Sequence, residues 1–333
     1  MPVQPEMEAA MNGRLMLPVS CGGQWGLIND LGSVIAEPKY RFSGRGIGNA
    51  YLITDEGLVV VDCQGSEVGF IKGVTSYSEF SDQMLVVEVN GGMTYLGLDG
   101  KLLPGIYEVC RDFHGGFASV QDFNGRWGLI DRKANWVIKP RFEEALDFDT
   151  KTQRLPVQSS GLWELVGIDG KISSLGAADI LPGTNGVFGA AVSKTGFLLY
   201  GLIDATSEWV VAPEFSDMAF LGPDNVSVRD SDGWANIGFD GEYRFRTDAV
   251  ALGSVCCGLA RAYVNGKVTS TGLIEGKFVF FDSSGNLTID TGYDDAEDFR
   301  DGVSEVSTLL NDEERSSGYI NLVGRELWSP KHI

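Results

Sequence analysis

An internal repeat is the feature that most constrains how this chain can fold. The stretch GGQWGLINDLGSVIAEPKY at residues 22–40 returns as NGRWGLIDRKANWVIKPRF at residues 124–142. Each copy holds Trp-Gly, two apolar residues, Asp or Asn, a short polar break, an apolar run, Pro and an aromatic residue. Units repeated along a chain predict an architecture in which neighbours stack and share a core.

Degenerate copies of this motif run along the whole sequence. The Asp or Asn that closes the Trp-Gly strand recurs with a mean spacing of about 36 residues, which is typical of repeat architectures. Nine such positions are present: Asn29, Asp62, Asp99, Asp131, Asp169, Asp204, Asp240, Asp282 and Asn321. They predict one array with approximate unit bounds of 13–47, 48–82, 83–115, 116–152, 153–185, 186–224, 225–257, 258–301 and 302–333.

Turn residues follow these positions and predict a β-hairpin in every unit. Some positions are followed at once by Gly, as in Asp99-Gly100, and others have Gly three residues later, as with Asn29 and Gly32. Both patterns suit hairpin loops in which Gly takes a positive φ. Each unit is therefore expected to contain a short strand A, the Trp-Gly strand B, a strand C and a short strand D before the next A. Proline is expected to end strand C, because it cannot donate to a β-ladder; the prolines concerned are Pro38, Pro140 and Pro213.

The sequence predicts an all-β fold, a tandem array of about nine units with three to four short antiparallel strands each. Few stretches show an apolar period of 3.6 residues over a helix-length window. An open β-superhelix is favoured, because single propellers usually have about 4–8 blades. A β-propeller-like ring is the alternative, since the first residues resemble a D strand that could complete the last unit.

The motif and its spacing resemble the WG-repeat (KWG) family. The match is close at residues 15–40 and 117–148, recognisable at 187–215 and degenerate elsewhere. This resemblance covers nearly the whole chain and implies a β-repeat architecture. It implies no particular activity, because such repeats occur in many bacterial proteins of unassigned role.

The charge composition limits the kinds of binding partner that the chain can have. The chain has 46 acidic and 26 basic residues and a formal net charge of −20. Such a charge disfavours nucleic acid and anionic lipid surfaces and favours a basic protein. The five cysteines are odd in number and irregularly spaced, so we expect reduced thiols and a cytoplasmic location. No run approaches the roughly 20 apolar residues of a membrane helix.

The sequence offers little for catalysis, and we predict no enzyme activity, no catalytic residue, no metal and no cofactor. It contains two histidines, His114 and His332. It lacks the nucleophile-elbow, zinc-helix and phosphate-loop motifs. The DSDG at residues 230–233 resembles the start of a calcium loop but runs into a strand. The tryptophans recur at fixed repeat positions, which predicts packing roles; an exposed aromatic track for sugar is the alternative.

Departures from the repeat are where function is expected. The A-to-B connection lengthens at residues 265–277 and 309–318, so both insertions should emerge on one edge. Acidic residues lie nearby and are the candidate partner-binding residues: Asp294, Asp295, Glu297, Asp298, Asp301, Asp312, Glu313 and Glu314. A merely solvated acidic face is the competing interpretation.

These observations predict a non-catalytic protein-binding repeat protein. A sharper hypothesis is a bacterial immunity-type inhibitor of a basic secreted toxin, because such an inhibitor needs a large stable surface and no catalytic groups. A carbohydrate- or envelope-binding module is the alternative, and a hydrolase with a carboxylate pair is the third. The sequence leaves the partner's identity and the oligomeric state open.

Overall fold

The protein is built from β-strands. The structure, a computed structural model, describes residues 14–76, 78–194, 196–269, 272–309 and 315–328. Across these ranges every regular element is a strand, so the predicted all-β class is confirmed. Accordingly, the described residues include no helix long and apolar enough to cross a membrane.

Clustering of backbone contacts divides the chain into two compact units, with the boundary between Ser174 and Leu175. The strands that begin in the N-terminal unit are β1 (Leu15–Cys21), β2 (Gln24–Asn29), β3 (Val34–Tyr40), β4 (Phe42–Gly44), β5 (Gly46–Ile47), β6 (Asn49–Ile53), β7 (Gly57–Asp62), β8 (Glu67–Lys72), β9 (Met84–Val89), β10 (Gly92–Gly97), β11 (Val109–Cys110), β12 (Phe117–Gln121), β13 (Trp127–Asp131), β14 (Trp136–Phe142), β15 (Glu144–Ala145), β16 (Arg154–Ser159), β17 (Leu162–Gly167) and β18 (Ile172–Ala177).

The strands of the C-terminal unit are β19 (Asp179–Thr184), β20 (Val187–Lys194), β21 (Phe197–Asp204), β22 (Trp209–Phe215), β23 (Asp217–Met218), β24 (Asn225–Asp230), β25 (Gly233–Gly238), β26 (Tyr243–Thr247), β27 (Ala251–Leu252), β28 (Leu259–Val264), β29 (Lys267–Thr269), β30 (Gly272–Ile274), β31 (Lys277–Asp282), β32 (Leu287–Tyr293), β33 (Asp295–Ala296), β34 (Val303–Leu309), β35 (Arg315–Asn321) and β36 (Glu326–Trp328).

The strands form small antiparallel sheets, and most of the four-stranded ones follow the chain order D-A-B-C; in the first, the fourth strand is β5, which comes after β1, β2 and β3 in the chain. In the sheet β15-β16-β17-β18, for example, the short strand D pairs with A, A with B and B with C. The described residues hold eight four-stranded sheets and two two-stranded ones, β9-β10 and β29-β30. The predicted unit of three to four short strands thus describes most of these sheets.

A β-bulge explains why Trp-Gly and a later Pro occur together. Between the pairs Trp127↔Phe142 and Leu129↔Ile138, β13 contributes one residue and β14 contributes three, with Pro140 at the centre. A side chain at Gly128 would place its Cβ 2.6 Å from the Ile138 carbonyl oxygen. Glycine is therefore required by close backbone approach, and proline is tolerated because the ladder is interrupted at the bulge.

The prediction that proline ends strand C is consequently wrong. Strand β14 continues through Pro140 to Phe142, and β3 and β22 continue through Pro38 and Pro213 in the same way. The bulge removes the need for a donor at that position, so the strand pairs again beyond it.

The turns between B and C come in two forms. At Asp131 the carboxylate accepts the backbone N–H groups of Lys133 and Asn135, at 2.8 and 2.9 Å. The Asp131 N–H also donates to the carbonyl four residues later. In three units a glycine makes this backbone bond, Gly97, Gly167 or Gly238, and the Asp lies two residues after it. Asp99, Asp169 and Asp240 are therefore turn residues and do not close the B strand as the sequence pattern suggested.

The core lies between consecutive sheets. In one cluster Trp127, Leu129 and Phe142 pack against Leu155 and Val157 of the next sheet. Side chains of one sheet also donate to a carbonyl of the next strand D: Tyr95 Oη to Arg111 O at 2.6 Å, and Ser119 Oγ to Leu146 O at 2.7 Å. These contacts stabilise consecutive sheets against each other, as stacked repeats require.

The two predicted insertions are extensions of β-structure. Residues 265–277 carry the small hairpin β29-β30 between β28 and β31. Around the second insertion, β34 and β35 stay paired as far as Leu309↔Arg315. A longer hairpin that was not predicted, β20-β21, extends from Val187 to Asp204.

Candidate functional site

The predicted acidic residues belong to the last two four-stranded sheets, β27-β28-β31-β32 and β33-β34-β35-β36. Asp294 follows β32, Asp295 begins β33, and Glu297, Asp298 and Asp301 lie between β33 and β34. Three further predicted residues, Asp312, Glu313 and Glu314, lie outside the described residues. The described five differ widely in exposure and in partners.

Asp294 joins neighbouring strands. Its carboxylate pairs with the Lys277 ammonium at the start of β31 and accepts the Leu309 backbone N–H at 2.8 Å. Its side chain is only 16% exposed. Asp294 is therefore placed to support the long β34-β35 hairpin and offers little surface to a partner.

Asp298 lies beside an arginine. Arg261 Nε is 3.2 Å from Asp298 Oδ1, and the same guanidinium donates to the Ala296 carbonyl. Burial raises the pKa of Asp298, and the Arg261 charge opposes that rise. Arg261 occupies the strand position held by Ser119 in β12, so its bond replaces the inter-sheet hydroxyl bond seen there.

Two of the predicted acids and one that was missed form an exposed group, which we call the acidic ladder: Asp295, Glu297 and Glu305. Asp295 lies opposite Ser307 on β34, and the Glu297 N–H donates to the Glu305 carbonyl at 2.8 Å. All three side chains are exposed. Glu297 lies 3.9 Å from Arg261, a distance at which solvent weakens the attraction.

Glu305 was not predicted as a partner-binding residue because it lies inside strand A and outside the acidic stretch at residues 294–301. The signal that could have identified it is a charged residue inside an otherwise uncharged strand A, which predicts a side chain that faces solvent. Asp301, by contrast, is half-buried at a turn with a φ of 53°, next to Arg300.

One acid of the stretch at residues 294–301, Asp295, lies at a position that is acidic in several repeat units. Glu144, Asp179, Asp217 and Asp295 hold the same position at the start of strand D. The carboxylates of Asp179, Asp217 and Asp295 each accept the next backbone N–H at 2.9–3.0 Å. Within the ladder, Glu297 and Glu305 are therefore the acids that depart from the repeat pattern.

The cysteines and turn carboxylates show no catalytic arrangement. Burial raises the pKa of the Cys110 thiol to about 12 and that of Cys256 to about 11, so both are protonated at neutral pH. At Asp230 the carboxylate is held mainly by Arg246, which lowers its pKa to about 2, and its two oxygens also accept hydrogen bonds from the Asp232 N–H and the Tyr243 hydroxyl. Among the described residues, no group of three or more His, Cys, Asp or Glu side chains could hold a metal ion.

The tryptophan rings are mostly inside the protein. Trp127, Trp163, Trp234 and Trp328 are buried, and the Arg111 guanidinium lies 5.1 Å from the centre of the Trp127 ring. Trp136 is 38% exposed, and Trp25 and Trp209 are half-buried. These rings are placed for packing, and a sugar could not stack on the buried ones.

Comparison with known proteins identifies the repeat. The family model described as "WG containing repeat" matches residues 25–44, 101–127, 127–163, 200–221 and 280–308. No curated protein matches the chain in sequence.

Comparison with solved structures finds chains that are similar to this one. A structure titled "Crystal structure of the eukaryotic initiation factor" is 10% identical with a TM-score of 0.64, over 95% of this chain and 94% of that chain. BamB from Moraxella catarrhalis is 14% identical with a TM-score of 0.43, over 81% and 92% of the two chains. At such low identity the first likeness concerns the fold alone.

Proposed function

We propose that this chain, a WG-repeat protein, is a non-catalytic binding protein that presents an acidic β surface to a basic protein. The observation that carries the proposal is the acidic ladder. Its three carboxylates are exposed, two on the paired strands β33 and β34 and one on the residue after β33, so they can approach a partner without rearrangement of the backbone.

Charge supports a basic partner. The net charge of −20 gives the chain a field that attracts cations over long range, and such fields raise association rates. Asp294 and Asp298 contribute to that field but are engaged with Lys277 and Arg261. We assign the recognition role to Asp295, Glu297 and Glu305 because their side chains are exposed, although Asp295 also accepts the Ala296 N–H and Glu305 accepts a hydrogen bond from the Tyr319 hydroxyl at 3.3 Å.

The sharper proposal is an immunity-type inhibitor in the bacterial cytoplasm that blocks a basic secreted toxin. An array of small sheets offers a broad surface, and inhibition by occlusion needs no reactive group. The protonated thiols agree with such a role. The buried tryptophans lend less support to the carbohydrate-binding alternative, and the paired Asp298 and Arg261 lend less to a carboxylate hydrolase.

Charge reversal of the acidic ladder tests the proposal. In the variant Asp295→Lys/Glu297→Lys/Glu305→Lys we expect association with a basic partner to slow by about tenfold or more at low salt, because steering is lost. Stability should change little, since exposed charges contribute about 0–1 kcal/mol each. Products of neighbouring genes supply candidate partners, and stopped-flow rates across a salt series provide the measurement.

A matched control separates local recognition from net charge. Glu208→Lys/Glu242→Lys/Asp248→Lys changes three exposed acids elsewhere in the C-terminal unit by the same amount. It should slow association much less than the ladder variant. Equal slowing by both variants would assign the effect to net charge, and unchanged rates in the ladder variant would remove this surface from recognition.

For the arrangement of the sheets, we propose nine units in an open array, with the closed ring as the alternative. Eight four-stranded sheets and the β9-β10 pair support the unit number within the described residues. Small-angle X-ray scattering is expected to show an elongated particle. A scattering profile of a flat closed disc would instead establish the ring.

A further inference from the structure

The β20-β21 hairpin is longer than the repeat requires. Strands A and B of the WG sheet at β12-β13 end their pairing at Gln121↔Trp127, which corresponds to Ala191↔Tyr200 here. Three more pairs follow, from Val192↔Leu199 to Lys194↔Phe197. This extension is a departure from the repeat, of the kind that carries function in repeat proteins.

The extension has an open strand edge. Strand β22 pairs with β21 from Ile203 only as far as Tyr200↔Phe215, after which the chain turns away to β23. Residues Phe197, Leu198 and Leu199 therefore lie beyond the end of the pairing with β22. Alternate residues of such an edge direct backbone N–H and C=O groups outward, which makes the edge a template for another strand.

A groove lies where strand C departs. It has a volume of about 640 Å³ and is lined by Lys194, Gly196, residues 197–200, Ser216 and Asp217. Its apolar wall is exposed, since Phe197 is 74% and Leu198 39% accessible. Exposed apolar surface beside an open strand edge is the arrangement by which proteins bind extended peptides.

The charges beside the groove indicate the kind of strand it takes. Asp217 is exposed at the rim, and Asp179 accepts a hydrogen bond from the Tyr200 hydroxyl at 3.1 Å. Lys194 is the basic residue of the lining. A second copy of this chain would bring another net charge of −20, so self-association through this edge is disfavoured.

We infer that the β21 edge at residues 197–200 receives an extended segment of a basic partner protein, which adds to the sheet as a strand. Its backbone pairs with β21, its apolar side chains contact Phe197 on one face of the sheet and Leu198 on the other, and a basic side chain faces Asp217. The inference rests on the proposed function for the positive charge of the partner and on the open edge for the binding mode.

Short synthetic peptides test this inference with the full chain. The probe is a labelled peptide in which valine alternates with lysine and threonine. It is compared with two copies of the same peptide, one N-methylated at the odd-numbered residues and one at the even-numbered residues. We expect the unmethylated peptide to bind in fluorescence anisotropy and to slow hydrogen exchange in residues 197–199. At least one methylated copy should bind about tenfold more weakly, a loss of about 1.4 kcal/mol, because it lacks main-chain donors.

Two variants localise the binding. Phe197→Ser/Leu198→Ser should weaken peptide binding by about tenfold. Phe220→Ser, which changes a phenylalanine that is 69% exposed and does not line the groove, should leave it unchanged. Unchanged thermal unfolding of both variants shows that the fold is intact.

The outcomes separate the two proposals. Absence of binding, equal binding of all methylated copies, or equal binding to the serine variant would overturn strand addition. A peptide with glutamate in place of lysine tests the charge. If it binds as well as the lysine peptide, the basic-partner proposal fails while strand addition stands.

Discussion

Replacing Trp127 by alanine is expected to lower the free energy of unfolding by about 3–5 kcal/mol, the range for a large buried aromatic residue. The indole is 4% exposed and belongs to a cluster with Leu129, Phe142 and Val157. Because that cluster joins consecutive sheets, the cavity would weaken the contact between units as well as one sheet. Urea unfolding followed by circular dichroism measures the change.

Phe123 provides the control for Trp127→Ala. It lies four residues earlier in the A-to-B turn and is 61% exposed, so Phe123→Ala should change stability by about 0.5 kcal/mol or less. If the Trp127→Ala protein is as stable as the parent but no longer binds its ligand, the packing role is contradicted. That result would favour the hypothesis of an exposed aromatic track for sugar.

Gly128→Ala is expected to cost about 2–3 kcal/mol, because the added methyl group overpacks the bulge. The new Cβ would lie 2.6 Å from the Ile138 carbonyl oxygen and 2.9 Å from the Pro140 nitrogen. Both are backbone atoms of β14, so relief requires the strand to move away from β13. Denaturant midpoints of the variant and the parent give the difference.

Gly69→Ala is the matched control for Gly128→Ala. Gly69 also lies within a strand and lacks a positive φ, but its added Cβ would find only the Val60 Cβ at 3.9 Å. This substitution should be neutral or slightly stabilising. Equal costs at the two positions would contradict the prediction, because they would show that the close backbone approach does not distinguish Gly128 from another strand glycine.

The acidic residues show why a sequence pattern overstates a functional surface. Five acids between residues 294 and 301 read as one charged run, yet Asp294 and Asp298 are engaged with Lys277 and Arg261. Those partners come from β31 and β28, at 17 and 37 residues' separation from the acids they meet, and no local pattern reports such pairs. Glu305 joins the ladder because strand pairing brings it next to Glu297.

The sequence by itself determined the all-β class, the tandem repeat and the turn residues, because these depend on local chemistry that recurs about every 36 residues. Tertiary structure decided what the pattern could not. It made Pro140 part of a bulge that strand C passes through, and it turned residues 265–277 into a hairpin. It also left the edge of β21 open beyond Tyr200. These outcomes depend on which strand lies beside which, and backbone pairing at a distance sets that relation.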